Sequence, residues 1–237
     1  MTGGGAMDKY QPLAEAVARV GDGATVMVGG FGSPGTPFGL LAELERQGRR
    51  DLTIIKNDAN EAGLGVSRLI EAGQVRRLVT SHIGLNKRVI ALMNEGALEV
   101  TFHPQGILAE KIRCGGAGCL AFLTDIGLHS EITDPADVID WRGRPARLEA
   151  ALNADFALLH AERADGLGNL CYRATARNFS PLMAMAANCV IVEAMARVPT
   201  GAIDPEQVHS SAAFVDVVTD ADPADPAYGL MEGRYAP

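Results

Sequence analysis

The chain predicts an α/β fold built on a central, mainly parallel sheet with a small β-hairpin excursion, and three features of its 237 residues predict it. Short β-branched runs alternate with longer amphipathic stretches, which is the pattern of repeated strand–helix units. The first apolar run leads directly into a glycine-rich loop and then into a helical pattern. The alternation breaks once, at Asp137 to Ala150, where Gly143 and Pro145 fall between Val138, Ile139, Trp141 and Leu148 and predict a hairpin.

Taken in order, Asp8 to Val20 carries Leu13, Ala16, Val17 and Val20 at helical spacing, Gly21-Asp22-Gly23 turns the chain, and Ala24 to Val28 reads as a buried strand. The loop Gly29 to Pro37 follows, and Phe38 to Gln47 reads as a helix closed by Gly48. Strands are predicted at Leu52 to Lys56, Arg76 to Thr80, Leu98 to Phe102 and Leu120 to Thr124, with helices at Val66 to Ala72, Lys87 to Glu95 and Gly106 to Cys114. After the hairpin, strand-type runs return at Phe156 to His160, Ala186 to Glu193 and Phe214 to Val218. One domain over residues 7–219 is expected, with 1–6 a flexible start or cloning scar, Met7 an alternative start, and 220–237 a flexible or docking tail.

Composition narrows the partners. A net charge of −8 with scattered Lys and Arg would repel a phosphate backbone, so nucleic acid is not expected. No apolar run approaches the roughly 18 residues of a membrane span, and the first ten residues lack a signal-peptide pattern, so a cytoplasmic protein without a membrane partner is expected. Cys114, Cys119, Cys171 and Cys189 lack paired CxxC spacing, and the five histidines lack metal-ligand spacing, so reduced thiols and no metal site are expected.

The segment DGATVMVGGFGSPGTP, Asp22 to Pro37, holds the strongest local signal. Gly29, Gly30, Gly32 and Gly35 let backbone approach a ligand closely, and Phe31, Ser33 and Pro34 complete the loop. It has neither a Lys-Ser/Thr ending nor GxGxxG spacing, so physical reasoning leaves a tight strand-to-helix turn and an anion or cofactor loop both open.

This segment resembles the signature of family I coenzyme A transferases, with an Asp-Gly start, Gly-Gly-Phe, a later Gly and a Pro. The resemblance extends to HPQGILAEKIRCGGAG (His103 to Gly118), SHIG (Ser81 to Gly84), DFALLHAERADGLGN (Asp155 to Asn169) and ARNF (Ala176 to Phe179), in order over about residues 8 to 218. It looks like the alpha (A) subunits of acetate, acetoacetate and 3-oxoacid transferases, and the resemblance implies a Rossmann-like domain.

In that family a glutamate attacks the acyl-CoA carbonyl, the released CoA thiolate attacks the resulting anhydride, and a glutamyl-CoA thioester passes CoA to the acceptor acid. The resemblance implies no permanently bound cofactor, with CoA as substrate. The nucleophile lies in a Ser-Glu-Asn-Gly segment of the beta subunit, and none of the fourteen glutamates here has that setting. A beta-subunit partner, acyl-CoA and a free carboxylic acid are therefore implied. Gln105 is carried over as the amide donor to the reacting carbonyl or carboxylate, Asn57 as a substrate-side residue, and Gly29 to Gly35 as the loop facing CoA. Without the resemblance a strand-end cap stays open for Gln105 and an Asx-turn for Asn57. Gly115 to Gly118 read as a helix end, Cys114 as a packing residue, and Arg113 and Arg177 as braces.

One departure touches specificity. The family's Thr-Pro-Thr-Gly-x-Gly-Thr is replaced by Thr124-Asp-Ile-Gly-Leu-His-Ser130, which puts acyl-group identity in question. A 3-oxoadipate or other dicarboxylate transferase and a non-catalytic acyl-CoA-binding protein are the alternatives, with a sugar-phosphate isomerase of related topology a weaker third.

Overall fold

The computed structural model describes residues 8–228; the suggested start at Met7 and the tail beyond Tyr228 lie outside the described residues. Seven strands form a parallel sheet in the order β11-β10-β8-β1-β2-β3-β4. They are β1 (Thr25–Val28), β2 (Leu52–Ile55), β3 (Val75–Thr80), β4 (Glu99–Phe102), β8 (Ala154–Asp165), β10 (Ala187–Val198) and β11 (Val217–Asp220). Short β9 (Leu170–Cys171) pairs antiparallel with β8.

The period-2 alternation of side chains divides the apolar residues into two cores. Val26 and Val28 of β1, with Ile54 and Leu78, pack under α1 (Leu13–Val17), α2 (Phe38–Gln47), α3 (Val66–Glu71) and α4 (Lys87–Asn94). Met27, Ile55, Val79 and Leu159 point the other way, under Leu108 and Ile112 of α5 (Gln105–Gly116) and Met183 of α6 (Ser180–Ala186). Burying each such side chain contributes about 1.5–3 kcal/mol, and the result is a three-layer α/β/α sandwich.

Several expectations shift in register. The first helix is only Leu13–Val17, because Lys9 donates its N–H to Gly166 O (2.9 Å), Tyr10 bridges Val218, and Pro12 caps the start. Leu120 to Thr124 does form β5 (Ala121–Thr124), but not in the parallel sheet; it pairs with β7 (Arg144–Ala150), which pairs with β6 (Val138–Trp141) in a separate antiparallel sheet. Pro145 lies within β7, and the hairpin turn is Arg142-Gly143, both at positive φ (56° and 78°), the geometry of a two-residue type I′ turn. The last predicted strand starts later, since Ala212–Phe214 is a 3₁₀ turn.

Gly115 and Gly116 are the last two residues of α5, which ends within the glycine stretch as expected. An added Cβ on Gly115 would stand 2.1 Å from Leu152 O, and one on Gly116 2.7 Å from Met185 Cβ, so these glycines let α5 press onto its neighbours. Gly118, at φ 72°, makes the left-handed exit.

Candidate active site

Sequential crossovers carry the chain from β1 to β4 in one direction, and β8, β10 and β11 extend the sheet in the other, so the direction switches between β1 and β8. Ligands of open α/β sheets gather beyond the carboxyl ends of the strands at such a point. The Gly29–Pro37 loop leaves β1 there, with Gly29 N–H bonded to Leu158 O of β8 (2.9 Å). Beside it a cleft of about 780 Å³ is lined by Ser33 to Thr36 of the loop, His160 and Glu162 of β8, Met195 of β10 and Arg173 to Ala176.

The loop is held from within. Its N–H groups at Phe31 and Gly32 donate to Pro34 O (3.0 Å) and Asn57 Oδ1 (3.2 Å). Gly30 (φ 98°) and Gly35 (φ 79°) cannot carry side chains, as a Cβ would lie 2.6 Å from Thr36 Oγ1 and 2.5 Å from Ala176 O respectively. Phe31 remains half exposed and stacks on Phe179 with ring centroids 6.4 Å apart. The loop is thus no open cradle of converging amides: with Gly29, Phe31 and Gly32 committed and Pro34 lacking an N–H, Gly30, Ser33 and Gly35 are left.

What anchors the loop was not singled out in the sequence. Gly32 O accepts from Lys56 Nζ (3.0 Å), Asn60 Nδ2 (2.9 Å) and Thr36 Oγ1 (2.7 Å). Carbonyl and N–H point oppositely across a trans peptide, so three donors on Gly32 O turn Ser33 N–H away from them. Lys56 is fully buried, bonded also to Asn57 Oδ1 (3.1 Å) and Asp58 Oδ1 (3.0 Å); burial lowers its pKa and Asp58 opposes the shift. The signal was available as KNDAN directly after a buried strand, a polar cluster where apolar residues would otherwise pack.

Asn57, Ser81 and Gln105 follow the carboxyl ends of β2, β3 and β4 and form one row beside the loop. Ser81 Oγ lies 2.5 Å from Asn57 O and also contacts Gln105 Oε1, so its single proton is shared between two acceptors. Gln105 opens α5 and caps no strand. Its Nε2 and the Asn57 Nδ2 are both buried without a hydrogen-bond partner, a costly state in a folded chain.

His103, two residues before Gln105, has its pKa pushed down to about 4, first by burial and then by Lys111 and Arg147, with Glu149 opposing; it is neutral at pH 7. Those charges form a buried group: Lys111 Nζ meets Glu149 Oε2 at 2.7 Å, and Arg147 Nε meets Glu149 Oε1 at 2.9 Å. Arg147 also bonds Thr133 Oγ1 (3.0 Å), which holds Gly127 O (2.6 Å), so the altered Thr124–Ser130 loop is tied to α5. Arg113 pairs with Glu110 on the surface (2.7 Å).

A second buried cluster borders the cleft through His160 and Tyr228. Glu193, wholly buried, accepts Leu40 N–H (2.8 Å), contacts His160 Nδ1 (2.9 Å) and accepts from Tyr228 Oη, which in turn accepts Gly39 N–H (3.1 Å). Its carboxylate is fully engaged. Among the described residues no cluster of three or more His, Cys, Asp or Glu would hold a metal, the four cysteines are free thiols, and no helix is long and apolar enough to cross a membrane.

The profile of coenzyme A transferases matches residues 10–221. A probable coenzyme A transferase subunit alpha of Bacillus subtilis is 45% identical over 204 residues, covering 86% of this chain and 89% of that protein. The acetate CoA-transferase subunit alpha of Escherichia coli is 42% identical over 208 residues, covering 88% and 94%. Among solved structures, a variant of the decarboxylase AibA/AibB superposes with a TM-score of 0.79 at 29% identity, covering 93% of this chain and 87% of that one. Matched along nearly its whole described length by profile and relatives alike, the chain belongs to the coenzyme A transferase family and is an alpha-type subunit within it.

Proposed function

We propose that this chain is the alpha half of a cytoplasmic, heteromeric transferase that moves CoA between a short-chain or 3-oxoacyl-CoA and a free carboxylic acid, through a glutamyl-CoA thioester on a beta subunit. The observation that carries the reading is the unpartnered Gln105 Nε2, a buried donor at the carboxyl edge of the sheet, in a chain whose relatives are designated subunits. An amide held by Ser81 and lacking an acceptor is prepared for the oxygen that becomes negative when a carboxylate attacks an acyl carbonyl. CoA is a substrate here, with no cofactor held between turnovers, and an assembly of two alpha and two beta chains fits the reading.

The glutamates at hand favour a nucleophile from elsewhere. Glu193 is fully bonded, and Glu162, which lines the cleft, sits in AERAD rather than Ser-Glu-Asn-Gly. The partner's glutamate would attack the acyl carbon and expel CoA thiolate; the thiolate would then displace the carboxylate from the anhydride and give the thioester. The test combines this chain with a companion bearing a Ser-Glu-Asn-Gly segment and adds acyl-CoA. Hydroxylamine-sensitive CoA on the companion's glutamate supports the reading; label on Glu162, or turnover by this chain alone, overturns it. Release of carbon dioxide without CoA transfer would favour the decarboxylase chemistry of the AibA/AibB pair. Gln105→Ala is expected to lower kcat in the complex about a hundred- to a thousandfold. A panel of acetyl-, acetoacetyl- and dicarboxylyl-CoA thioesters reads the altered Thr124–Ser130 loop, and separates the 3-oxoadipate alternative.

A further inference from the structure

Buried charge is unevenly placed about the point where the strand order reverses. After β2, Lys56 faces Asp58 in a neutral pair. On β8 and β10 the buried carboxylates of Asp165 and Glu193 are held by backbone N–H groups, Asn169, His160 and Tyr228, and among the described residues neither meets a Lys or Arg. Against α5 the balance is reversed. Lys111 and Arg147 share one anion, Glu149, and all three side chains are buried, so the group carries one surplus positive charge.

An interior charge has lost its hydration and is ordinarily paired. Here the remaining contact of Arg147 is the neutral Thr133 Oγ1 (3.0 Å), and the Lys111 ammonium, a donor of three hydrogens, has Glu149 Oε2 as its acceptor. Glu99 at the start of β4 and Asp125 after β5 do not neutralise the group, since they pair at the surface with Arg76, Arg77 and Arg144.

The surplus belongs to the Gln105 corner. Helical side chains lean toward the N-terminus of their helix, so Lys111 reaches back along α5 toward its first residue, Gln105. After burial, Lys111 is the largest influence on the ring of His103, two residues before Gln105, and Glu149 and Arg147 follow. The start of this 12-residue helix has Pro104 at its cap, no side-chain cap and no acidic residue in its first turn, so its own N–H groups add partial positive charge at the same place. The orphaned Gln105 Nε2, the uncapped helix start and the surplus cation all favour an anion there. We propose that Lys111, Glu149 and Arg147 form a positioning group whose single surplus positive charge draws a carboxylate substrate to the Gln105 amide. The proposal deepens the functional reading above and rests on it for the identity of that anion as the acid substrate.

The test varies the surplus in both directions. Glu149→Gln raises it to two charges, Arg147→Gln and Lys111→Gln each reduce it to zero, and Arg147→Lys keeps it at one. Acetate is titrated into the isotope-labelled full-length chain, and its binding is read from the side-chain amide resonance of Gln105. Binding about tenfold tighter in Glu149→Gln and about tenfold weaker in the two zero-charge variants is expected, the effect of one unit charge at about 12 Å in an effective dielectric of about 20. Arg147→Lys should bind as the parent does. A purely structural role would weaken binding or spare it in every variant, so opposite signs for Glu149→Gln and Arg147→Gln separate the two. Should Glu149→Gln fail to fold, the zero-charge variants against Arg147→Lys decide. Equal acetate affinity across the series overturns the proposal, as does a parent whose Gln105 resonance ignores acetate. CoA transfer is measured apart, in the complex with the companion chain. Transfer with a flat acetate series removes the positioning group and leaves the functional reading, whereas an ordered series in a complex that transfers no CoA does the reverse.

Discussion

Lys56 shows how a single residue sets the loop that borders the cleft. Its ammonium holds Gly32 O, Asn57 Oδ1 and Asp58 Oδ1 at full burial, so it is stabilised only by those partners. Lys56→Met leaves Asp58 buried without its cation and is expected to cost about 3–5 kcal/mol in urea unfolding, with part recovered in Lys56→Met/Asp58→Asn. His103 carries a different signature. Its folded pKa of about 4 lies below the ordinary value of 6.5, so the unfolded chain binds the proton first as pH falls. Its contribution is therefore fully present above pH 6.5 and is lost progressively down to pH 4. His103→Asn should flatten that part of the stability-versus-pH curve relative to the parent; equal slopes would show that His103 is solvated. Gln105, Asn57 and the glycine loop stand out by motif, whereas Lys56, Asp58 and Asn60 show only as a polar run after a buried strand, because the carbonyl that Lys56 and Asn60 hold lies 24 to 28 residues away.

At the scale of elements, α2 spans Phe38–Gln47 as its periodicity and Gly48 imply, since local spacing and a left-handed cap decide a helix of that kind. The α5 C-terminus joins a local signal to a tertiary one. The glycines mark the stop, since α5 ends at Gly116, and packing also requires them, because only hydrogen at Gly115 permits the approach of Leu152 O. Gly115→Ala is expected to cost about 1–3 kcal/mol of overpacking, and any retreat of the helix would carry Gln105 with it. A variant with unchanged unfolding free energy and unchanged kcat in the complex would show that the contact relaxes locally. The sheet assignment of β5 was hidden, for a four-residue apolar run says nothing about its partner strand; pairing with β7 is set by the return of the chain through the Arg142-Gly143 turn.

Across the whole molecule, the last described residues return to the centre of the sheet. Tyr228 packs edge-on against Phe38 (5.5 Å) and along His160 (5.0 Å), while its hydroxyl links Glu193 of β10 to Gly39 at the start of α2. Three segments distant in sequence meet there, and Phe38, His160 and Tyr228 all line the cleft. Burial and the Glu193 carboxylate both raise the Tyr228 pKa, so the phenol stays protonated and donates throughout the working pH range. Tyr228→Phe keeps the ring contacts but withdraws one donor from a wholly buried carboxylate and one acceptor from Gly39 N–H. The cost of leaving such groups unsatisfied is about 1–3 kcal/mol, and it should appear as a lower urea midpoint with an unchanged m-value. If the tail merely lies on the surface, Tyr228→Phe and truncation after Asp220 will both unfold with the parent. If it closes the cleft wall, truncation will cost more than the single hydroxyl, since it removes the aromatic cover over Phe38 and admits water to Glu193.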